Sequence, residues 1–447
     1  MIVDCDAHGL GVRRGAIDQG VDGMIRRMIV TAMVGVVLSG GALGEDWPGF
    51  RGPRGDGTSF ERVVPLTWSA ESGVSWSVEL PGEGNSSPIV WGDRVFVTSA
   101  MELGAERALY CFDRDSGALV WGRTMEFVGD EPTHETNPYC AATPVTDGER
   151  VYVWYGSGGM LCFDFDGNEL WQFQPGEVKH VWGNGSSPIL YGDTVIQYIG
   201  PGEVSMLVAL DKVTGGLVWK REISVSRNRF TDDSDQSQWY GTWATPLVVD
   251  NEGQAELVFP VSYSLRGYSP RTGVELWRCM GLSGLSYASA SVGDGVAVAM
   301  SGYTGPALAV RMPGVGEGGD ITATNRLWVH EVNDQRVGSG VVYRGHFYVA
   351  NDPGVAQCFD LETGEEVWKA RLGASVTWGS MVLAAGRLYV TDERGVTHVL
   401  AASPVFEKLA ENRLGDDVMT RSTAAFSDGQ VFIRTYDRLW CIGTRLD

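Results

Sequence analysis

From about residue 74 onward the chain alternates short apolar runs with Gly, Asp, Asn and Pro, and no 3.6-residue apolar period is sustained after the N-terminus. One stretch reads Ser87-Pro88-Ile89-Val90-Trp91, then Gly92-Asp93, then Arg94-Val95-Phe96-Val97. Two apolar segments joined by Gly-Asp predict a tight hairpin, because glycine tolerates the positive φ that a two-residue turn needs. The pattern continues with Leu109-Tyr110-Cys111-Phe112-Asp113 and, after an Asp-x-x-Ser-Gly turn, with Gly117-Ala118-Leu119-Val120-Trp121. These predict a third strand and a fourth ending in tryptophan. Four short antiparallel strands in one unit make a propeller blade.

The unit repeats with a period of about 40–55 residues, the spacing of a repeat architecture. First hairpins recur at Thr143-Pro144-Val145, Ser187-Pro188-Ile189, Thr245-Pro246-Leu247, Ala290-Ser291-Val292, Ser339-Gly340-Val341, Gly379-Ser380-Met381 and Ala424-Ala425-Phe426. Most carry a turn pair: Asp147-Gly148, Gly192-Asp193, Gly293-Asp294, Arg344-Gly345, Ala385-Gly386 or Asp428-Gly429. Fourth strands recur around Trp121, Trp171, Trp219, Trp277, Trp328, Trp368 and Phe406. The last unit runs out at Trp440-Cys441-Ile442, and Val74-Ser75-Trp76-Ser77-Val78-Glu79-Leu80 is free to supply its missing strand. Closure of that kind removes the exposed edge of an open array. The expectation is an all-β, eight-bladed propeller over residues 74–447, with longer insertions at Ser224–Tyr240 and Met312–Asn325.

Ahead of the first blade the pattern changes. Arg26-Arg27 precede an apolar run from Met28 to Leu38 and a small-residue exit, Ser39-Gly40-Gly41-Ala42-Leu43-Gly44. This predicts a signal peptide over residues 24–44, with residues 1–23 an over-extended start and residues 45–73 an N-terminal extension. The chain is expected to be exported to the periplasm or beyond, peripheral to a membrane at most, and monomeric.

Composition fits that reading, with 60 Gly and 16 Trp in 447 residues. The formal net charge of −21, with basic residues scattered singly, argues against nucleic-acid partners. Of the seven cysteines, Cys111, Cys162, Cys358 and Cys441 occupy one equivalent repeat position. Equivalent sites in different blades lie beyond disulfide reach, so these four are expected as small buried hydrophobes. The pairing of Cys140 and Cys279 stays open.

Ala209-Leu210-Asp211-Lys212-Val213-Thr214-Gly215-Gly216-Leu217-Val218-Trp219 resembles the PQQ-like propeller repeat, and Cys358 to Trp368 repeats it with cysteine for alanine. The opening Asp46-Trp47-Pro48-Gly49-Phe50-Arg51-Gly52 resembles the head of exported planctomycete-type proteins with this repeat. The resemblance implies one of two branches. The non-enzymatic outer-membrane assembly factors, the BamB branch, are scaffolds for envelope proteins. The quinoprotein alcohol dehydrogenases bind pyrroloquinoline quinone (PQQ) and calcium in the propeller funnel, and carry adjacent cysteines over the cofactor. No Cys-Cys pair is present here, so PQQ and calcium are disfavoured and no cofactor is expected.

Candidate chemistry is sparse. Thr231-Asp232-Asp233-Ser234-Asp235 lacks the further ligands of a calcium loop and reads as solvated, and no histidine pair has zinc spacing. Loops that enter innermost strands should crowd the channel mouth. They carry Asn85, His134, Asn137, Tyr139, His180, Trp182, Asn184, Trp239, Trp243, Trp378 and Arg421. Amides, indoles and a guanidinium converging there suit a polar small molecule or an envelope protein partner. The function expected is a non-catalytic binding scaffold; the alternative is a quinone-dependent oxidoreductase or another funnel enzyme.

Overall fold

The computed structural model describes residues 44–446, apart from 225–239, 335–336, 353, 374 and 417. The expected leader, the Asp232 loop and Trp239 lie outside the described residues.

Eight antiparallel four-stranded blades form the fold. Blade one runs Ile89–Trp91, Arg94–Met101, Glu106–Asp113 and Leu119–Glu126. The next six repeat that order, with innermost strands Val145–Thr146, Ile189–Tyr191, Leu247–Asn251, Ser291–Gly293, Val341–Tyr343 and Val382–Ala384. Blade eight takes three strands from Ala425–Ser427, Gln430–Arg434 and Arg438–Ile442, and its fourth from Val74–Glu79. Trp76 pairs with Cys441, so the first strand of the chain completes the last blade.

The hairpins divide by turn chemistry. Arg344-Gly345, Ala385-Gly386 and Asp428-Gly429 hold both residues at positive φ, whereas Gly92-Asp93 and Gly192-Asp193 do so only at glycine. In blade five the two positive-φ residues are Asp294 and Gly295. The turn therefore falls one residue later than Gly293-Asp294.

Tryptophans join successive blades. The indole N–H of Trp76 donates to Arg114 O at 2.8 Å, Trp121 to Phe165 O at 2.9 Å, Trp171 to Lys212 O at 3.2 Å and Trp219 to Pro270 O at 3.1 Å. Trp328 and Trp368 do the same to Leu361 O and Ser403 O. Within its own blade each tryptophan faces a small residue: Cys111, Cys162, Cys358 and Cys441 stand opposite Trp121, Trp171, Trp368 and Trp76, and Ala209 opposite Trp219. Cys140, Cys279 and these four cysteines are buried and unpaired. Burial pushes the four repeat thiols up to about 12, where they are inert hydrophobes.

Two junctions depart from the repeat. The insertion after Ala307–Arg311 sends Gly319–Asp320 back to blade four as a fifth, parallel strand. Trp277 there donates to Glu256 Oε2 of its own blade at 2.7 Å. In blade seven the fourth strand is Lys408–Arg413, and Ala410 stands opposite Val399 where a tryptophan is usual. Phe406 precedes that strand and packs edge-on against Trp368, 5.2 Å between ring centres. Its aromatic character marks the neighbourhood of the fourth strand but not its register.

Residues 45–61 form more than an extension. Trp47, fully buried, bridges Val90 of blade one with N–H···O bonds of 2.8 and 2.9 Å. Pro48 O accepts from Thr146 N–H of blade two, and Leu383 of blade seven exchanges bonds with Gly57 O and Ser59 N–H. Arg51 donates to Ala290 O and Gly340 O of blades five and six. Glu61 accepts from Asp428 and Gly429 N–H of blade eight. The segment thus crosses the channel and is held by innermost strands on opposite sides of the ring.

Candidate functional site

Above that segment the channel opens as a cavity of about 390 Å³, with Phe50 in its lining. Each blade gives the cavity one hydroxyl, from Ser87, Thr143, Ser187, Thr245, Ser289, Ser339, Ser380 and Thr423. Every one sits just before an innermost strand. The N–H of Ser87 donates to Thr143 Oγ1, that of Thr143 to Ser187 Oγ, that of Ser187 to Thr245 Oγ1 and that of Thr245 to Ser289 Oγ, all at 2.9–3.0 Å. The chain of bonds continues through Ser339, Ser380 and Thr423 at 2.9–3.2 Å and returns to Ser87. Each hydroxyl oxygen therefore takes an N–H from the preceding blade. Among the described residues none of the eight O–H groups has an acceptor.

Aromatic rings wall the cavity. Trp182, Trp243, Tyr287, Tyr303 and Trp378 line it, and Trp182 lies 5.8 Å from Trp243 and 5.7 Å from Tyr303 between ring centres. Arg421 stacks on Trp378 at 5.0 Å, forms an ion pair with Glu393 and donates to the Tyr436 hydroxyl. Its buried Nε and the Trp378 indole nitrogen have no partner among the described residues.

The described lining contains no aspartate or glutamate. This contrasts with a chain carrying 56 carboxylates. Two guanidiniums lie close by, and the carboxylates that attract them, Asp56 for Arg51 and Glu83 for Arg434, stand beyond ion-pair distance. Arg51 is fully buried on Gly340 O and Ala290 O, each the residue after a ring serine or its neighbour, and its Nε is unpartnered. Arg434 bonds Ser86 Oγ at 3.1 Å, next to Ser87, and Ser99 Oγ at 3.2 Å. Neither forms an ion pair among the described residues, and desolvation lowers both to about 10, leaving them charged at neutral pH.

Of the residues singled out from the sequence, Asn85, His134, Asn137, Trp182, Trp243, Trp378 and Arg421 line the cavity. Two of the asparagines spend their amides on loops: Asn85 Nδ2 donates to Thr136 O, and Asn137 Nδ2 to Trp182 O and Asn184 O. Three predicted residues sit elsewhere. His180 is buried behind the wall, 4.9 Å edge-on from Trp243, and takes the Trp182 N–H on Nδ1. Asn184 donates to Glu131, which holds buried Arg107, and Tyr139 donates to Glu131 O. Their loops reach the cavity through Asn137, Trp182 and Gly185, but the side chains of His180, Asn184 and Tyr139 face away from it and brace the wall. Sequence reasoning missed Phe50, Tyr287, Tyr303 and the hydroxyl ring, although a Ser or Thr column just before each innermost strand was its signal.

The sequence pattern of the family described as outer membrane protein assembly factor BamB matches residues 69–264 and 261–404. A polyvinylalcohol dehydrogenase from Sphingopyxis sp. (strain 113P3) is 26% identical over 197 residues, 39% of this chain and 29% of that protein. The chain thus spans under a third of that relative's length. Among solved structures, BamB from Moraxella catarrhalis superposes with a TM-score of 0.57 at 15% identity, covering 82% of this chain and 98% of that one. The quinohemoprotein alcohol dehydrogenase from Comamonas testosteroni gives 0.64 at 13%, covering 89% and 81%.

Proposed function

This chain belongs to the family described as outer membrane protein assembly factor BamB, and we propose that it is an exported, non-catalytic binding propeller that takes a small polar molecule into its funnel. One observation carries the reading: a cavity built from hydroxyls and aromatic rings, with no carboxylate in its described lining and with the chain's own residues 45–61 across the channel beneath it. Aromatic walls with a few placed polar groups are the usual make-up of a ligand pocket. Export is supported by the Arg26-Arg27 and Met28-to-Leu38 pattern, and a scaffold role toward envelope proteins by the family match.

The similarity to the polyvinylalcohol dehydrogenase favours a second reading, oxidation of an alcohol, which the PQQ-like repeat would link to a quinone. Such a site needs carboxylate and amide oxygens for calcium and a carboxylate base. The described lining offers neither carboxylate, and the described residues hold no group of three or more His, Cys, Asp or Glu disposed around a metal. The residues present do not fit the cofactor. The deciding experiment incubates the purified full chain with PQQ and calcium, then assays alcohols with an artificial electron acceptor. We expect no turnover and no retained quinone absorbance after gel filtration; stoichiometric quinone with turnover would overturn the proposal.

A further inference from the structure

The funnel's ligand class follows from which hydrogen-bonding capacity the protein leaves unspent. Eight hydroxyl oxygens already accept a backbone N–H each, which polarises their O–H groups toward donation. The Trp378 indole nitrogen and Arg421 Nε add two more buried unspent donors, against one buried unspent acceptor, Asn85 Oδ1. A neutral sugar brings an O–H donor with every hydroxyl, whereas a carboxylate or phosphate dianion brings acceptors only. A cation would need lone pairs that the ring has partly committed.

Charge points the same way. Arg51 and Arg434 each bond the backbone or side chain of a residue adjoining the ring, on different blades, and the carboxylates that attract them, Asp56 and Glu83, stand beyond ion-pair distance. Buried charge in a low-dielectric wall acts over a longer range than charge in water. With no Asp or Glu in its described lining, the funnel of this acidic protein is rich in hydrogen-bond donors and places no carboxylate against a bound anion.

We propose that the hydroxyl ring is an anion-recognition site, seating the carboxylate or phosphate of a small molecule whose ring system lies against Trp182 and its aromatic neighbours. This rests on the reading of the funnel as a ligand site.

Calorimetric titration of the full chain at constant ionic strength tests it, with benzoate, phenyl phosphate and neutral benzamide as probes. We expect at least one anion to bind ten-fold or more tightly than benzamide, and the ratio of the two anions identifies the group preferred. The Thr143→Val/Ser289→Ala double variant should weaken the anion five-fold or more, leave benzamide unchanged, and keep its circular dichroism spectrum. Thr143→Ser should bind as the parent does. If the double variant does not fold, displacement of phenyl phosphate from the parent by inorganic phosphate but not by chloride is the equivalent result. Equal binding of benzamide and both anions would overturn anion recognition while leaving the funnel a ligand site. Failure of all three probes to bind would overturn both readings.

Discussion

The amide N–H of Thr423 donates to Oγ of Ser87 at 3.0 Å, across 336 positions of the chain, and closes a circle of eight hydroxyl-accepted bonds. The strand pairing of Trp76 with Cys441 closes the outer rim between the same two ends. Velcro-like strand exchange and the hydroxyl circle therefore act at opposite radii of one junction.

Replacing Ser87 by alanine leaves the buried Thr423 N–H without its acceptor, and a buried unsatisfied donor costs about 1–3 kcal/mol. Ser87→Thr should be close to neutral, since threonine fills the same position at Thr143, Thr245 and Thr423. Urea midpoints at unchanged m-value decide it. Equal loss in both variants would mean that the hydroxyl contributes nothing to closure.

The blade-to-blade tryptophans predict which glycines are irreplaceable. Gly215 lies at φ +72° with Trp171 carbons 2.6–2.7 Å from where a Cβ would stand, whereas Gly253 lies at φ +86° with nothing within 4 Å. Gly253→Ala carries only the left-handed penalty, roughly 1–2 kcal/mol. Gly215→Ala adds the displacement of a packed indole and should cost about 1–3 kcal/mol more. Chemical denaturation of the pair separates the two effects.

The repeat turns also set a pH dependence. Asp113 is held below its ordinary 3.8 first by the Ser116 hydroxyl, Asp211 first by the Thr214 hydroxyl, and Asp360 first by the Thr363 N–H. A carboxyl whose folded value is depressed contributes stability that is present above the unfolded value and lost as pH falls through the folded one. Thermal stability should therefore fall on acidification below about pH 4. Asp360→Asn should melt below the parent at pH 7, and the gap should narrow as the pH falls below 3.8. A gap independent of pH would remove the turn carboxylate from the account.

Blade number, order and closure were legible because each rests on a local signal that repeats: a turn pair, a small residue before an aspartate, a tryptophan. Where the local signal was missing, register was lost, as at Phe406, whose strand places Ala410 in the tryptophan's position. The site was partly legible. Topology sends the entering loops to one end, which brought Asn85, His134, Asn137 and Trp182 to the cavity. Whether a side chain then faces the axis or the wall depends on one or two backbone angles, and His180 and Asn184 turned to the wall. The course of residues 45–61 had no periodic signature at all. Its contacts run to strands of six different blades, from Val90 to Asp428, the last 367 positions from Glu61.

Trp182 offers the sharpest separation of site from scaffold. Its ring is partly exposed in the cavity and touches His180, Trp243 and Tyr303, all belonging to the same wall, whereas the blade-joining tryptophans each donate to a neighbouring blade. The Trp182 backbone carbonyl, which accepts from Asn137, survives substitution. Trp182→Ala should therefore keep the propeller intact while removing a stacking surface, weakening benzoate or phenyl phosphate binding by about 1–3 kcal/mol. Trp121→Ala should do the reverse, because its indole fills the space between blades one and two and donates to Phe165 O. It should lower the melting temperature sharply, at about 3–5 kcal/mol, with little effect on probe affinity in the folded fraction. Paired melting curves and titrations on the two variants test this crossing of effects. If Trp182→Ala unfolded the protein as readily as Trp121→Ala, the residue would belong to the scaffold and the aromatic wall would lose its assignment as a binding surface.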